Sequence, residues 1–189
     1  PVMGAGGVIV PPKTYFEKIQ KVLKKNNILL IADEVICGFG RTGNMWGTTT
    51  LDMKPDMITM AKALSSAYLP ISALLINEKI YQAMVSQSNN LGLFGHGGTY
   101  AGHPVSAAVA LETLNIYEER NIISHVQKLA PRFQKELRSF SDHPIVGEVR
   151  GIGLIAGVEL IKDKKTKESF DPKLAVGAKC QSFTLENGL

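Results

Sequence analysis

Side chains able to do chemistry together follow two apolar runs of the sequence. Asp33 and Glu34 come directly after the run at residues 28–32, and Lys62 comes directly after the run at residues 57–61. A lysine can form a covalent bond with a carbonyl compound and later carry a proton, provided that its surroundings hold it partly neutral. A carboxylate is costly to bury unless a positive group meets it. The spacing therefore raises the question of which positive group lies beside Asp33, and Lys62 is one candidate.

The elements that must position these side chains are predicted β-strands. The run at residues 28–32 is unbroken and aliphatic, which is typical of a strand buried on both faces inside a parallel sheet. The runs at residues 57–61 and 71–76 predict two further strands. Because ligands of open α/β sheets bind beyond the carboxyl ends of the strands, we expect Asp33 and Lys62 at the same sheet edge.

Longer strings around these residues resemble the class III aminotransferases, the ω-transaminase branch of the fold-type I pyridoxal-phosphate enzymes. The strings are D-E-V-I-C-G-F-G-R-T-G from residue 33, P-D-M-I-T-M-A-K-A-L-S-S-A-Y-L-P from residue 55, H-G-G-T-Y-A-G-H-P from residue 96 and V-R-G-I-G-L-I-A-G-V-E-L from residue 149. The resemblance covers essentially the whole chain. It implies an α/β fold in which residues 1–120 form the second half of the large cofactor-binding domain. Residues 121–189 would then form part of a small α+β C-terminal domain.

The resemblance also implies roles for the residues at the two strand ends. Lys62 matches the lysine that binds pyridoxal 5'-phosphate covalently and moves a proton between two carbons of the substrate. Asp33 matches the carboxylate that keeps the ring nitrogen of the cofactor protonated. Glu34 is expected to point to the opposite face, because side chains alternate along a strand, and to be structural or to support the site without contacting the ligand. Val35 would return to the face of Asp33 and pack against the ring.

A loop at residues 91–103 is predicted to serve a neighbouring subunit. It is long and glycine-rich for a connector, and in the resembling family this loop crosses a dimer interface to the partner's cofactor phosphate. The Thr99 hydroxyl and the backbone N–H groups of Gly97 and Gly98 suit an anion. The resemblance therefore implies a homodimer with shared active sites.

The reaction that the resemblance implies is transfer of an amino group from a primary amine or ω-amino acid to a keto acid such as pyruvate. Family members that act on ornithine or γ-aminobutyrate commonly carry glutamine where this chain has Ile36, so we expect the pyruvate-dependent ω-amine branch. Another reaction of the same family, decarboxylation or amino-group migration, is the alternative. From a different class, residues 28–34 also fit the Walker B strand of an ATPase, but no Walker A lysine motif is present upstream.

Composition excludes several other functions. The chain has 189 residues, of which 44% are hydrophobic and 20% charged, with a net charge of +4, and its lysines lack the interleaved aromatics of a nucleic-acid site. No apolar stretch approaches the roughly 18 residues that cross a bilayer. Cys37 and Cys180 form no C-x-x-C motif, which favours reduced thiols in a cytoplasmic protein. His96 and His103 lack the spacing of metal ligands.

The start of the chain leads to one further expectation. The sequence opens on Pro1 rather than Met and contains only three candidates for central strands. We therefore expect an internal fragment of a longer enzyme, inactive by itself because half of the cofactor site would be absent.

Several expectations concern local structure. Thr14 and Glu17 have capping-box spacing for a helix with an apolar face, interpreted as packing and not chemistry. A short helix is expected at residues 77–85 and a loop at 86–98. Arg41 is expected to form a structural ion pair, with contact to the substrate as the alternative. Further elements are expected as a helix from Pro104 to Tyr117, a long helix from Ile122 to Phe140, a β-hairpin at residues 145–160 and a final helix at residues 173–185.

Two motifs allow more than one interpretation. Trp46 is expected either to line the substrate channel or to pack at its rim. The string G-I-G-L-I-A from Gly151 satisfies the dinucleotide-binding pattern G-x-G-x-x-A, but that pattern requires a helix after the glycines. Because Val158, Glu159 and Leu160 are typical of a strand, we expect a hairpin there instead.

Overall fold

The computed structural model describes all residues from Pro1 to Leu189 as a mixed α/β chain. The helices are α1 (Tyr15–Lys25), α2 (Gly47–Thr50), α3 (Glu78–Leu91), α4 (Pro104–Glu119), α5 (Ile122–Arg138) and α6 (Val176–Glu186). The strands are β1 (Ile31–Asp33), β2 (Met57–Met60), β3 (Ala73–Ile76), β4 (Val146–Ile152) and β5 (Ile155–Leu160). No helix is long and apolar enough to cross a membrane.

The three predicted strands form one sheet in the order β1-β2-β3. Strands β1 and β2 are parallel, and Asp33 lies opposite Thr59 in their register. Strand β3 runs antiparallel to β2. Because β1 and β2 are parallel, their carboxyl ends lie at the same edge of the sheet. Lys62, two residues beyond β2, therefore lies at the edge that carries Asp33, as the sequence predicted.

The prediction that the first strand is buried on both faces is wrong for this chain. Ala32 is buried, but Ile31 is 56% exposed, and Ile28 and Leu29 before it are also exposed. Strand β1 pairs with β2 on one side only. Burial alternates along β1, so the apolar run has one covered face and one open face, and the strand also has an unpaired edge.

A small aromatic and aliphatic cluster packs beneath the site edge of the sheet. Its buried members are Phe39, Met60, Leu64 and Ala110. Trp46 packs on this cluster, with its ring centroid 5.1 Å from that of Phe39. The packing alternative for Trp46 is therefore confirmed.

Two local predictions for helices need correction. Thr14 precedes α1 but caps no backbone N–H with its side chain, and Glu17 instead pairs with Lys21 at 2.6 Å, so the capping box does not form. Helix α3 continues six residues past the predicted end, to Leu91, and Gly92 ends it in a left-handed conformation. The polar residues of its last turns are helical nonetheless, and the Ser88 hydroxyl donates to the Met84 carbonyl four residues back.

The predicted β-hairpin is confirmed as β4 and β5, and its turn contacts the loop after β1. Leu154 N–H donates to the carbonyl of Arg41 at 2.9 Å, and the Arg41 guanidinium donates to the carbonyl of Leu154 at 3.2 Å. Arg41 thus has a structural role through backbone hydrogen bonds, not through the ion pair that the sequence predicted. A strand follows the glycines of G-I-G-L-I-A, so the dinucleotide-binding interpretation is excluded.

The same hairpin also holds the N-terminal segment. Arg150 of β4 donates from Nε to the carbonyl of Gly7 at 2.6 Å, and it pairs with Glu159 at 2.6 Å and Glu148 at 3.0 Å. The hydrogen bond to Glu159 is the main cause of a raised Arg150 pKa. The glycine-rich segment at residues 4–7 is therefore tied to an element more than a hundred residues later in the chain.

We expect Gly153→Ala to destabilise the fold strongly. Gly153 has a φ of +59°, and an added Cβ would lie 2.6 Å from Thr42 Cα and closer still to the Arg41 carbonyl oxygen. Left-handed strain and the backbone clash together should lower the free energy of unfolding by about 2–4 kcal/mol, measured by urea denaturation. Gly177→Ala in α6 is the matched control, because nothing lies within 4 Å of its added Cβ. Equal stability of the two variants would contradict the tight contact at the turn.

Candidate functional site

An open cleft of about 640 Å³ lies at the carboxyl ends of β1 and β2. Asp33, Val35 and Lys62 all line it, so the structure brings three of the five predicted site residues together. Its volume is in the range of small-molecule and cofactor sites. Most of the remaining wall is apolar and comes from the N-terminal segment and the first turn of α1.

Lys62 opens a short 3₁₀ turn, Lys62–Leu64, directly after β2. Its φ of +48° is left-handed, which is uncommon for a residue with a side chain. Such backbone strain persists only where surrounding contacts enforce it, and it concentrates at functional sites. Lys62 is solvent-exposed, so the residues of this chain leave its amine accessible.

Asp33 presents one free carboxylate oxygen. Its Oδ1 accepts a hydrogen bond from Val35 N–H at 3.0 Å, and no hydrogen bond within the chain uses Oδ2. None of the four ion pairs joins Asp33 to Lys62. Lys62 is therefore not the cation that meets Asp33, and the space between them is open to a ligand.

Glu34 points away from the cleft, as the alternation along the strand predicted. It is fully buried, and its carboxylate accepts hydrogen bonds from Gly47 N–H at 2.9 Å and Thr48 N–H at 2.6 Å. The structural role expected of Glu34 is confirmed. Its two N–H partners are at the start of α2, which the sequence did not indicate.

The cleft wall formed by the N-terminal segment was missed by the sequence. The cleft is lined here by Val2, Met3 and Gly4 together with Tyr15 and Phe16 of α1. Helix α1 thus contributes to the site as well as to packing. The available signal was the run of small residues at positions 4–7. An added Cβ on Gly4 would lie 2.8 Å from Ile36 Cδ1, so only glycine allows this close approach without displacing that side chain.

Cys37 fastens this wall to the loop after β1. The Val2 N–H donates to the Cys37 sulfur at 3.4 Å, and both residues are buried. Burial raises the pKa of the Cys37 thiol, and the hydrogen bond from Val2 opposes that shift only partly. The thiol is thus a neutral packing group next to the site.

A second cleft of about 420 Å³ shares Val35, Ile36 and Lys62 with the first. Its remaining lining is largely apolar and includes Arg41 and Tyr117. Burial raises the pKa of the Tyr117 hydroxyl, whereas the charge of Arg41 acts in the opposite direction. Lys62 therefore stands between two cavities, and a ligand in either one can reach it.

Gly98 and Thr99 do not line either cleft. They lie in an exposed loop between α3 and α4, in which the turn is closed by a hydrogen bond from Ala101 N–H to the Gly98 carbonyl at 2.9 Å. The backbone N–H groups of Gly97, Gly98 and Thr99 donate to no group of the chain. The predicted role of Thr99 and Gly98 toward a partner's phosphate stays a prediction.

The residues present fit pyridoxal phosphate in three respects. Lys62 offers an accessible amine, Asp33 Oδ2 is a free anionic acceptor, and apolar side chains, Val35 among them, wall the space between the two. A positively charged aromatic ring suits such a donor set, because a carboxylate at one edge and an amine at the other can hold it at both ends.

Comparisons with known proteins agree with this assignment. The sequence model of the family "Aminotransferase class-III" matches residues 1–186. A relative from Oryza sativa subsp. japonica, named "Probable gamma-aminobutyrate transaminase 3, mitochondrial", is 62% identical over 178 residues, which are 94% of this chain and 35% of the relative. A relative from Solanum lycopersicum, named "Gamma aminobutyrate transaminase 1, mitochondrial", is 54% identical over the whole chain and 37% of its own length.

Solved structures agree as well. A structure titled "Transaminase with L-ala" superposes with a TM-score of 0.97 at 59% identity, over the whole chain and 44% of that protein. The omega transaminase from Pseudomonas jessenii, in complex with PMP, has a TM-score of 0.89 at 54% identity over 90% of this chain and 38% of its own. This chain thus spans between about a third and less than half of the lengths of the relatives that it matches. With a family match over nearly all of its length, the chain belongs to the class III aminotransferases.

Proposed function

We propose that the full-length protein is a pyridoxal-phosphate-dependent transaminase that moves an amino group from an amine or ω-amino acid to a keto acid. The observation that carries the proposal is the parallel pairing of β1 with β2, which places Asp33 and Lys62 on one cleft. The family to which the chain belongs supports the same chemistry. When bound, the cofactor supplies an electron sink for the charge that remains on a carbon after its proton is removed.

Lys62 has two tasks in this proposal. Its Nζ holds the cofactor covalently between turnovers, and it then removes and returns a proton at the substrate carbon next to the nitrogen. Its exposed position between the two clefts supports both tasks. The left-handed backbone conformation of Lys62 sets the direction in which its side chain leaves the turn.

Asp33 and Val35 hold the ring in this proposal. The free Oδ2 of Asp33 would accept from a protonated ring nitrogen, and its negative charge would raise the pKa of that nitrogen. The hydrogen bond from Val35 N–H to Oδ1 orients the carboxylate. The Val35 side chain, which lines the cleft, would pack against the ring.

Thr99 and Gly98 serve the partner subunit in this proposal. Their loop is exposed, carries free backbone N–H groups and includes the exposed side chains of Leu93, Phe94 and Tyr100, which suit burial against a second copy. The Thr99 hydroxyl and the Gly98 N–H would donate to the partner's cofactor phosphate. The protein would then be a homodimer with shared sites.

Donor and acceptor follow from the relatives' names and from Ile36. We propose pyruvate as the acceptor, since one superposed transaminase is titled with L-alanine, the amino acid that pyruvate becomes. The plant relatives are named for γ-aminobutyrate, which is itself an ω-amino acid. Ile36 instead favours donors other than γ-aminobutyrate, so both kinds of donor are compared below.

Other interpretations have less support. Decarboxylation and amino-group migration use the same residues and differ in the fate of the substrate, which only the reaction products distinguish. The ATPase interpretation needs an acid free to act on water, whereas both oxygens of Glu34 are occupied by backbone N–H groups.

Domain division and compartment are part of the proposal. The boundary near Arg120 is placed between α4 and α5, where Asn121 has a left-handed φ of +49°. The cytoplasm is proposed from the cysteine pattern, although the rice and tomato relatives are named mitochondrial.

The first prediction is that the cofactor attaches to Lys62. Borohydride reduction of the full-length protein with pyridoxal phosphate, followed by peptide mapping, should place the pyridoxyl label on this residue. Lys62→Ala should lose the label, and Lys79→Ala, which removes an exposed lysine outside both clefts, should keep it. Label on another lysine would refute the assignment.

The second prediction concerns the reaction. Primary amines and ω-amino acids should convert the bound cofactor from its aldehyde to its amine form, observed by absorbance, and because of Ile36 γ-aminobutyrate should do so more slowly than the other donors. Pyruvate should then restore the aldehyde form with release of L-alanine. No carbon dioxide should appear. Its release in amounts equal to the donor consumed would show a decarboxylase instead.

The third prediction tests the shared site. Loss of one hydrogen bond to a charged phosphate in Thr99→Ala should cost about 1.5–3 kcal/mol, roughly ten- to a hundredfold in cofactor affinity. Thr99→Glu should be inactive, because it sets a like charge against the phosphate, and Thr99→Ser should retain the affinity.

Mixing inactive Lys62→Ala protein with inactive Thr99→Glu protein should restore about a quarter of the activity, since half of the reassorted dimers have one intact site. Verified subunit exchange without recovery would mean that Thr99 acts within its own subunit or not at all.

A further inference from the structure

Glu34 is the one charged side chain among the 22 buried residues of the chain. None of the four ion pairs includes it. Burial of a carboxylate without a cation is costly unless strong hydrogen bonds compensate. Glu34 lies between Asp33 and Val35, two residues of the cleft, so its hydrogen bonds affect the positions of both.

Every polar group of Glu34 is held by a different part of the fold. Its backbone N–H donates to the carbonyl of Thr59 in β2, and its own carbonyl accepts from Gly38 N–H, both at 2.9 Å. Its carboxylate accepts from Gly47 N–H at 2.9 Å and from Thr48 N–H at 2.6 Å. Residue 34 is therefore fixed to the strand that leads to Lys62, to the loop after β1 and to the start of α2.

The neighbours of Glu34 have far fewer restraints of their own. Asp33 is exposed, and the only hydrogen bond of its side chain is to Val35 N–H. Any rotation of the chain at residue 34 would move Asp33 and Val35 together. The anchors of Glu34, together with the pairing of β1 with β2, therefore restrain where the Asp33 carboxylate lies relative to the cleft.

We propose that Glu34 is a positioning residue: its buried carboxylate sets the place of Asp33 relative to Lys62 by clamping the end of β1 to the first N–H groups of α2. The inference deepens the proposed function and depends on it. Glu34 does not contact the cleft, since both of its oxygens face backbone N–H groups on the far side, so it acts through Asp33.

Residue 34 must be a carboxylate because two adjacent N–H groups each need an acceptor oxygen. Glutamine has the same shape but replaces one acceptor oxygen with an NH₂ donor, which would face an N–H group. Aspartate is one methylene too short to reach both partners from the same backbone position. The geometry therefore predicts that Glu34→Gln weakens the clamp without leaving a cavity.

The contact can also be disturbed from the other side. An added Cβ on Gly47 would lie 3.1 Å from Glu34 Oε2, 3.0 Å from Pro1 Cβ and 2.8 Å from Cys37 Cβ. Gly47→Ala should therefore crowd Cys37 and Pro1 as well as the carboxylate, so it tests the packing around Glu34 as a whole, whereas Glu34→Gln tests the carboxylate itself. The matched control is Thr113→Val in α4, which removes another buried hydrogen bond, from Thr113 Oγ1 to the Val109 carbonyl, outside the lining of both clefts.

The test uses the full-length protein with bound cofactor and measures the pH titration of the cofactor's visible absorbance, the cofactor dissociation constant and thermal stability. Asp33→Asn gives the direction of the absorbance shift when the charge at the ring is lost. Glu34→Gln and Gly47→Ala should shift the titration in that same direction by a smaller amount, and weaken cofactor binding roughly tenfold. Thr113→Val should leave the titration unchanged.

Two outcomes overturn the inference. If Glu34→Gln and Gly47→Ala lose stability but keep the wild-type titration and affinity, Glu34 is structural only. If they shift the titration no more than Thr113→Val does, the shift reflects general loosening of the fold. Failure of the proposed function would look different, because the wild-type protein would then take no pyridoxyl label at Lys62.

Discussion

The parallel register of β1 and β2 is the constraint on which the rest of the site depends. It places Asp33 opposite Thr59 and so brings the two strand ends to one edge. A slip of one residue would exchange the faces of the strand, turning Glu34 into the cleft and Asp33 into the interior. Full burial of Glu34 against two N–H groups makes that exchange costly, because its hydrogen bonds form in one register only.

Backbone strain is concentrated directly after β2. Lys62, Ser66 and Ala67 all have left-handed φ values, of 48°, 51° and 64°. The buried Ser65 lies between them and donates from Oγ to the Leu69 carbonyl at 2.6 Å, and Leu64 is part of the buried cluster. These contacts hold the turn in a strained conformation that is uncommon for residues with a side chain. This conformation sets the position from which the Lys62 side chain extends.

Distant parts of the chain complete the cleft. The hairpin of β4 and β5 supports the loop after β1 through Gly153 and Leu154, and it supports the N-terminal wall through Arg150. Gly4 lets this wall approach the Ile36 side chain closely. A single hairpin from the C-terminal part of the chain therefore sets the shape of a cleft whose chemistry lies in the first third.

Four features could be derived from the sequence alone: the family, the strand ends that carry Asp33 and Lys62, the hairpin and the loop of Thr99. These features depend on apolar runs, turn residues and short strings, which are read over a few adjacent positions. The wrong predictions from the sequence also have local causes. The spacing at Thr14 fits a capping box that does not form, and the polar end of α3 resembles a loop although it stays helical.

Three other features follow from tertiary packing. Residues 1–12 form a wall of the cleft, Arg41 forms hydrogen bonds with a hairpin turn, and the Glu34 carboxylate accepts hydrogen bonds from α2. The partners of these contacts are separated by 13 to 143 positions in the chain. No local pattern encodes such a pairing, because it depends on which surfaces meet once the strands have aligned. The chemistry was therefore visible in the sequence, whereas the geometry that positions it arose from packing between distant segments.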